Sequence, residues 1–272
     1  MIIAVIGGTG LLGAKCVQYF LAQGYEVVNV SRRIHPIQHE KLSNLLIDLT
    51  DKSTWSAIEK LKVGTHVIHT AALTDLKYCE ENSLEAWTTH VAFSRYLEKI
   101  VSGSYIYIST VGVYNNLNDT NTLGRRIEPA SWYAKTKYFG EPSSSRNYIL
   151  RLNIIGIENK EGKSLMEWAY KQFLNGHKIK GYEDFYINPV STDFVAQICE
   201  LLLVEHKFNF GVYDLGSKEI ISKFELLKKL AQKMGCPQLV EPARANENSE
   251  IFHITEPSPG FMQDWNFDLN LI

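Results

Sequence analysis

The chain opens on "IIAVIGG", an unbroken apolar run that ends in glycine, and continues as "IGGTGLLG". An apolar run without polar alternation predicts a strand buried on both faces, as in parallel sheets. Gly7, Gly10 and Gly13 form a G-x-x-G-x-x-G pattern between this strand and a helix over "LLGAKCVQYFLAQG". Such a turn commits the chain to a strand–helix–strand unit. Its glycines let the backbone come close to a pyrophosphate, and the helix N-terminus offers free N–H groups and a positive dipole end. With Thr9, Leu11 and Leu12 they form the candidate phosphate loop; the alternative is a plain glycine-rich turn.

The same rhythm continues. "YEVVNVS", "NLLIDL", "HVIHTAA", "SYIYIST" and "NYILRLNII" read as further strands. Between them lie helical patterns over "STWSAIEKL", over a long stretch from Leu84 to Val101, and from Trp132 onward. Alternation of this kind predicts an α/β fold with a doubly wound parallel sheet. After Gly156 the pattern loosens. Helices are expected around Leu165–Leu174, Phe194–Val204 and "SKFELLKKLAQKMG", and "GVYDLGS" offers one more strand. The stretch "GHKIKGYEDFYINPV" reads as loop-rich, and the last thirty residues or so as irregular.

Composition narrows the function classes. A formal net charge of -2 gives no electrostatic case for nucleic acid or an anionic membrane. No apolar run reaches the length of a membrane-spanning helix, and the apolar N-terminus lacks the basic start of a signal peptide. Cys16, Cys79, Cys199 and Cys236 are scattered with no C-x-x-C, which argues against disulfides and zinc and fits a reducing compartment, the cytoplasm. His66 and His69 have no partner at metal-ligand spacing and read as structural, so no metal is expected. Trp55, Trp87 and Trp168 fall in helical patterns and read as core.

The second strand ends in "NVSRR". An acid here would suit a free ribose 2′-hydroxyl, whereas arginine suits a 2′-phosphate, so Ser31, Arg32 and Arg33 favour NADP over NAD. Two solvated surface arginines are the alternative. Asp48 and Leu49, after the third strand, are placed to meet the adenine, although Asp48 also suits a strand-end turn.

Tyr133 and Lys137 in "WYAKTKYFG" form the chain's single Tyr-x-x-x-Lys. With 14 Tyr and 20 Lys in 272 residues, about one such pair arises by chance, so spacing alone says little. Position says more: the pair follows the glycine loop, the "SRR" edge and a strand ending in Ser109-Thr110. Residues four apart share a helix face, and an ammonium near a phenol favours the phenolate.

Together these motifs resemble the extended short-chain dehydrogenases/reductases, and within them the reductases of dTDP-4-dehydrorhamnose and their relatives. "GGTGLLG", "VIHTAALTD", "YISTVGVY", "YAKTKYFGE", "ILRLNIIG" and "INPVSTDFVAQICELL" carry the resemblance, in order, over nearly the whole chain. It implies a Rossmann-type domain over 1–157 and a small substrate-binding region over 158–272, with a segment near 187–217 returning to the first domain. It implies Tyr133 as proton donor, Lys137 as the lysine that binds the nicotinamide ribose and tunes Tyr133, and Thr110 as the hydroxyl facing the substrate carbonyl, with Ser109 as its neighbour and alternative. Ala71 and Ala72 would run along the cofactor. Asn153, Tyr186 and Asn188 are candidate substrate contacts. A homodimer through the helix of the Tyr–Lys pair is implied by the resemblance alone. Three features depart from the family: His90 where many relatives have Asn, the loop "NNLNDTNTLGRRIEP", and the C-terminal tail.

The expected activity is therefore NADP-dependent reduction of a keto group on a nucleotide-linked sugar. The alternatives are an NAD-dependent epimerase or dehydratase, and a non-catalytic regulatory subunit that binds NADP. A dehydratase needs an extra acid beside the hydroxyl, and Val111-Gly112 supplies none.

Overall fold

Strand β1 (Ile2–Ile6) shows why the opening run lacks polar alternation: its two faces enter two different cores. Ile3 and Val5 pack with one apolar cluster, and Ala4 and Ile6 with another on the opposite face. Successive strand side chains point to opposite sides, so a strand covered on both must be apolar throughout. The computed structural model describes residues 1–114, 126–158, 162, 164–246 and 251–264.

Helix α1 (Leu11–Ala22) follows the glycine loop, then β2 (Glu26–Ser31) and β3 (Leu42–Leu46). The expected helix over "STWSAIEKL" is a 3₁₀ segment, Lys52–Lys60, capped by Asp51, whose carboxylate accepts from the Ser53 N–H. Next come β4 (His66–His69), α2 (Leu76–Glu81), α3 (Ser83–Trp87) and α4 (Phe93–Ile100), with a π-helical turn, Thr88–Ala92, joining the last two. Then follow β5 (Tyr105–Thr110), α5 (Trp132–Phe139) and β6 (Asn147–Leu152).

The remainder alternates between two places. Strand β7 (Ile154–Ile155), α6 (Leu165–Leu174), β8 (Ile179–Tyr182) and β9 (Phe185–Ile187) leave the main sheet. Strand β10 (Val190–Ser191) pairs with β7, α7 (Thr192–Leu203) packs beside α1, and β11 (Gly211–Ser217) rejoins the sheet next to β6. Strand β12 (Ile221–Ser222), α8 (Lys223–Lys233), β13 (Val240–Ala243) and β14 (Ile251–His253) complete the outer lobe, and β15 (Met262–Gln263) closes the sheet edge. The stretches read as loop-rich or irregular thus hold five short strands, β8, β9, β10, β14 and β15.

The main sheet has eight strands in the order β15-β11-β6-β5-β4-β1-β2-β3, each parallel to its neighbours. The order reverses between β1 and β4. In open α/β sheets ligands bind at such a switch point, outside the carboxyl ends of the strands. The outer lobe has its own core of Ile155, Met166, Phe173, Leu226, Leu230 and their neighbours. Trp55 is core as expected, but Trp87 and Trp168 are 38% and 41% exposed, and Trp87 stacks on Trp132 at the surface. No helix among the described residues is long and apolar enough to cross a membrane.

Candidate active site

The loops after β1 and β4 touch at the switch point. Gly7 adopts φ +85, and a Cβ there would lie 2.8 Å from the Ala71 backbone. A Cβ on Gly13 would lie 2.0 Å from the Gly7 carbonyl oxygen, so α1 reaches the loop only through glycine. The Gly10 N–H closes the turn on the Gly7 carbonyl. Gly10 then caps α1 with no side chain, which leaves the first helical N–H groups facing outward. This cradle fits a pyrophosphate. Thr9 and Leu11 are half-buried at its rim, whereas the Leu12 side chain is core, leaving only its backbone for a ligand.

At the end of β2, Ser31 Oγ donates to the Arg33 carbonyl at 2.6 Å and accepts from the Arg33 N–H. Asn29 steadies the same turn through Arg33 O and Asn44 Oδ1. Arg32 and Arg33 project from it, exposed. Asp48 Oδ1 accepts from the Thr50 N–H and hydroxyl, as a strand-end turn residue does. Leu49 offers its carbonyl to Trp55 Nε1. Ala71 and Ala72 follow β4, half-buried, and Thr70 and Ala71 both donate their N–H to Ile6 O.

Helix α5 begins at Ser131, whose hydroxyl accepts from the Ala134 N–H. Trp132 ties its first turn to Glu80 and to Ser83 O. This places Tyr133 beside the end of β5, where its hydroxyl interacts with the Thr110 side chain. Burial pushes the Tyr133 phenol up to about 12, with Cys79 adding to the shift and Thr110 opposing it. Tyr133 therefore keeps its proton at neutral pH, the state a proton donor needs. Thr110 Oγ1 also accepts from the Gly112 N–H at 3.1 Å.

Lys137 is 2% exposed, and its Nζ lies over the Tyr107 ring, 4.2 Å from the centroid. Burial lowers its ammonium to about 7, and Glu141 acts in the opposite direction. The Lys137 ammonium rests on the Tyr107 ring, and the Tyr133 hydroxyl lies by Thr110.

His90 has a definite place. Its Nε2 accepts from the Leu73 N–H at 2.8 Å, so the neutral ring carries its proton on Nδ1, which meets Thr136 Oγ1 at 2.8 Å. Thr136 in turn donates to the carbonyls of α5's first turn. The ring packs edge-on to Tyr133, with centroids 5.8 Å apart. Burial holds it well below the usual imidazole range. His90 thus bolts the loop after β4 to the helix that bears Tyr133 and Lys137.

Other expected contacts are engaged differently. Ser109 is 4% exposed and its hydroxyl donates to Glu141, so it faces the interior and not the cleft. Its hydroxyl is thus engaged by Glu141, whereas Thr110 lies by Tyr133. Asn153 Nδ2 donates to His253 O at 2.6 Å, joining the sheet edge to the outer lobe, and Tyr186 stacks on Phe252 of the neighbouring strand within that lobe. Asn188 is buried and bonded to Ser217 and Thr255, a structural role. His69 is buried with Nδ1 on the Tyr105 hydroxyl, and His66 Nδ1 accepts from the Ser104 N–H. Among the described residues no three His, Cys, Asp or Glu side chains cluster as a metal site. Most of the loop "NNLNDTNTLGRRIEP" and the end of the tail lie outside the described residues. A cleft of about 590 Å³ opens at the opposite end of the sheet, around Ile2, Glu26 and Lys62, and none of the candidate cofactor or catalytic residues lines it.

Sequence reasoning passed over Glu141 and Arg151, which form a buried ion pair beneath this site. The signal was present: an arginine inside the apolar strand "NYILRLNII" must bring a buried partner.

The pattern described as the RmlD substrate binding domain matches residues 1–259. No curated protein matches the chain. Among solved structures it is similar to a hypothetical dTDP-4-dehydrorhamnose reductase from Sulfolobus tokodaii, with 22% identity over 98% of both chains and a TM-score of 0.77. It is similar to dTDP-4-dehydrorhamnose reductase from Bacillus anthracis in complex with NADP, with 19% identity, TM-score 0.80, and 99% and 96% of the two chains covered. A dTDP-glucose 4,6-dehydratase from Streptomyces venezuelae with NAD bound matches at 19% identity, TM-score 0.77, and 94% and 88% coverage. At these identities the structural matches speak for the fold, and the pattern over residues 1–259 speaks for the lineage: the chain belongs to the RmlD substrate-binding-domain family.

Proposed function

We propose that the chain is an NADP-dependent reductase of a keto group on a nucleotide-linked sugar, of the dTDP-4-dehydrorhamnose reductase kind. One observation carries this reading: the Thr110 and Tyr133 hydroxyls meet at the carboxyl edge of the sheet, on the same edge as a glycine cradle fit for a pyrophosphate. Bound NADPH would supply a hydride. Thr110 would donate to the carbonyl oxygen as charge develops, and Tyr133 would deliver the proton. Lys137 would hold the ribose hydroxyls and, as an ammonium, favour the phenolate left behind. Arg32 and Arg33 would take the 2′-phosphate, and Asp48 with Leu49 would border the adenine. Asn153 and Tyr186 would face the sugar nucleotide from the junction with the outer lobe, so that 1–157 binds cofactor and 158–272 mainly substrate.

A bound NADP in the Bacillus anthracis neighbour and the exposed arginine pair support NADP, although other neighbours carry NAD. Val111 and Gly112 beside Thr110 offer no second acid, which disfavours the dehydratase reading. The test is to follow NADPH oxidation across a panel of nucleotide-linked 4-keto sugars. Turnover with at least one is expected. NADPH binding without turnover on any would favour the regulatory subunit, and tightly held NAD in the purified protein would favour an epimerase.

A further inference from the structure

Strand β5 turns Tyr105, Tyr107 and Ser109 to one face, and each meets a different element. Tyr105 meets His69 and Ser94, Tyr107 lies under Lys137, and Ser109 donates to Glu141 Oε1 at 2.7 Å. Glu141 follows α5 directly, four residues after Lys137. Its side chain is only 8% exposed, and Arg151 grips both its oxygens, Nε at 2.9 Å from Oε1 and Nη2 at 2.7 Å from Oε2. Nη1 of Arg151 donates to the Tyr114 hydroxyl at 3.0 Å, and that hydroxyl lies 2.8 and 2.9 Å from the two Asp214 oxygens. Ser109, Arg151 and Asp214 are register partners on three adjacent strands. Charges therefore alternate through the interior: Lys137, Glu141, Arg151, Asp214.

A buried ion pair needs excellent geometry and further hydrogen bonds to offset its desolvation. Here it has both, and it lies next to a third charge. Lys137 lies over Tyr107 from β5, is flanked by His69 from β4 and His90 from the π-helical turn, and is one helical turn from Tyr133. Burial keeps both histidines unprotonated and both tyrosines protonated at neutral pH, so none of the four balances an ammonium. Glu141 lies one turn beyond Lys137 and is bound through Ser109 to the same face of β5 on which Lys137 rests, and its charge opposes the effect of burial on the ammonium.

We propose that Glu141 is a positioning residue: a carboxylate clamped by Ser109 and Arg151 that keeps Lys137 a cation in a cleft otherwise lined by neutral groups. The proposal rests on the reading of Lys137 as the ribose-binding ammonium. It is tested by measuring NADPH affinity across neutral and alkaline pH, a readout that needs no sugar substrate. Wild type, Glu141→Gln, the double variant Glu141→Gln/Arg151→Met, and Lys137→Met as a control would be compared. Wild-type affinity should fall as pH rises through the Lys137 midpoint. In Glu141→Gln that midpoint should move down by about one pH unit, with affinity at about pH 8 roughly tenfold weaker. The double variant removes the stranded guanidinium and should show the same displacement, which decides the matter if Glu141→Gln does not fold. Lys137→Met should show no such midpoint. NADPH binding with one midpoint common to wild type and both Glu141 variants would overturn this proposal alone. Wild type that binds no NADPH at any pH would remove the reading of Lys137, and this proposal with it.

Discussion

Thr110 and Ser109 are adjacent in sequence and opposite in what they reach. Both carry a hydroxyl at the end of an apolar strand, and only the pleat separates them: Ser109 turns to Glu141, and Thr110 meets Tyr133. Glycine is similarly decided by neighbours. A methyl group on Gly13 would collide with the Gly7 carbonyl, so Gly13→Ala must move α1 off the loop. Dinucleotide affinity should fall by at least about tenfold, some 1.4 kcal/mol, in a fluorescence titration. The arginine pair makes a cofactor prediction. Wild type should bind NADPH more tightly than NADH, and Arg32→Ala/Arg33→Ala should lose most of that preference while NADH affinity changes little. Equal affinities in wild type would remove the case for the 2′-phosphate. The residue types were legible in the sequence because phosphate loops and Tyr–Lys pairs depend on local spacing. The partners of Ser109, Arg151 and Asn188 were not, because they come from strands and loops distant in the chain.

At the scale of elements, the long helix expected over Leu84–Val101 is present and runs continuously through α3, a π-helical turn and α4. Such turns occur often at functional sites. This one presents His90 to Leu73 on one side and Thr136 on the other. The α5 end packs so closely on it that a Cβ at Gly140 would lie 2.1 Å from the His90 carbonyl oxygen. His90→Ala leaves the Leu73 N–H without its acceptor and should cost about 1–3 kcal/mol in urea unfolding. His90→Asn keeps an acceptor and should recover part of that. Equal stability of wild type and His90→Ala would contradict the bridging role. Apolar periodicity located the helix but could not reveal one extra residue in a turn. The short strands β8 to β10 escaped for a related reason: two to four residues are too few to show a period.

For the whole molecule, buried bases set the pH dependence of stability. His35, His66, His69 and His90 all lie below the usual imidazole value because burial disfavours the imidazolium. The unfolded chain therefore binds more protons than the folded one, and stability is lost as pH falls through 6.5 toward the folded-state values. Lys137 acts in the same sense between about 7 and 10.5, where the unfolded lysine is charged and the folded one largely neutral. Unfolding free energy should rise from mildly acidic pH to about pH 8, below the range where unfolded thiols and phenols ionise and reverse the trend, and Lys137→Met should flatten the part above neutrality; a profile unchanged by that variant would contradict the burial of its charge. The alternation of strands and helices foretold the doubly wound sheet. The return of β11 to β6 after the outer lobe was legible only as one more apolar run, because pairing across that distance leaves no local mark. The account's central claim is that this sheet edge assembles a reductase around Tyr133. The most direct measurement compares NADPH binding and NADPH-dependent reduction of a nucleotide-linked 4-keto sugar in wild type and Tyr133→Phe. Binding should be unchanged and turnover should fall by at least about a thousandfold, near 4 kcal/mol of transition-state stabilisation. Turnover of the variant at the wild-type rate would contradict it.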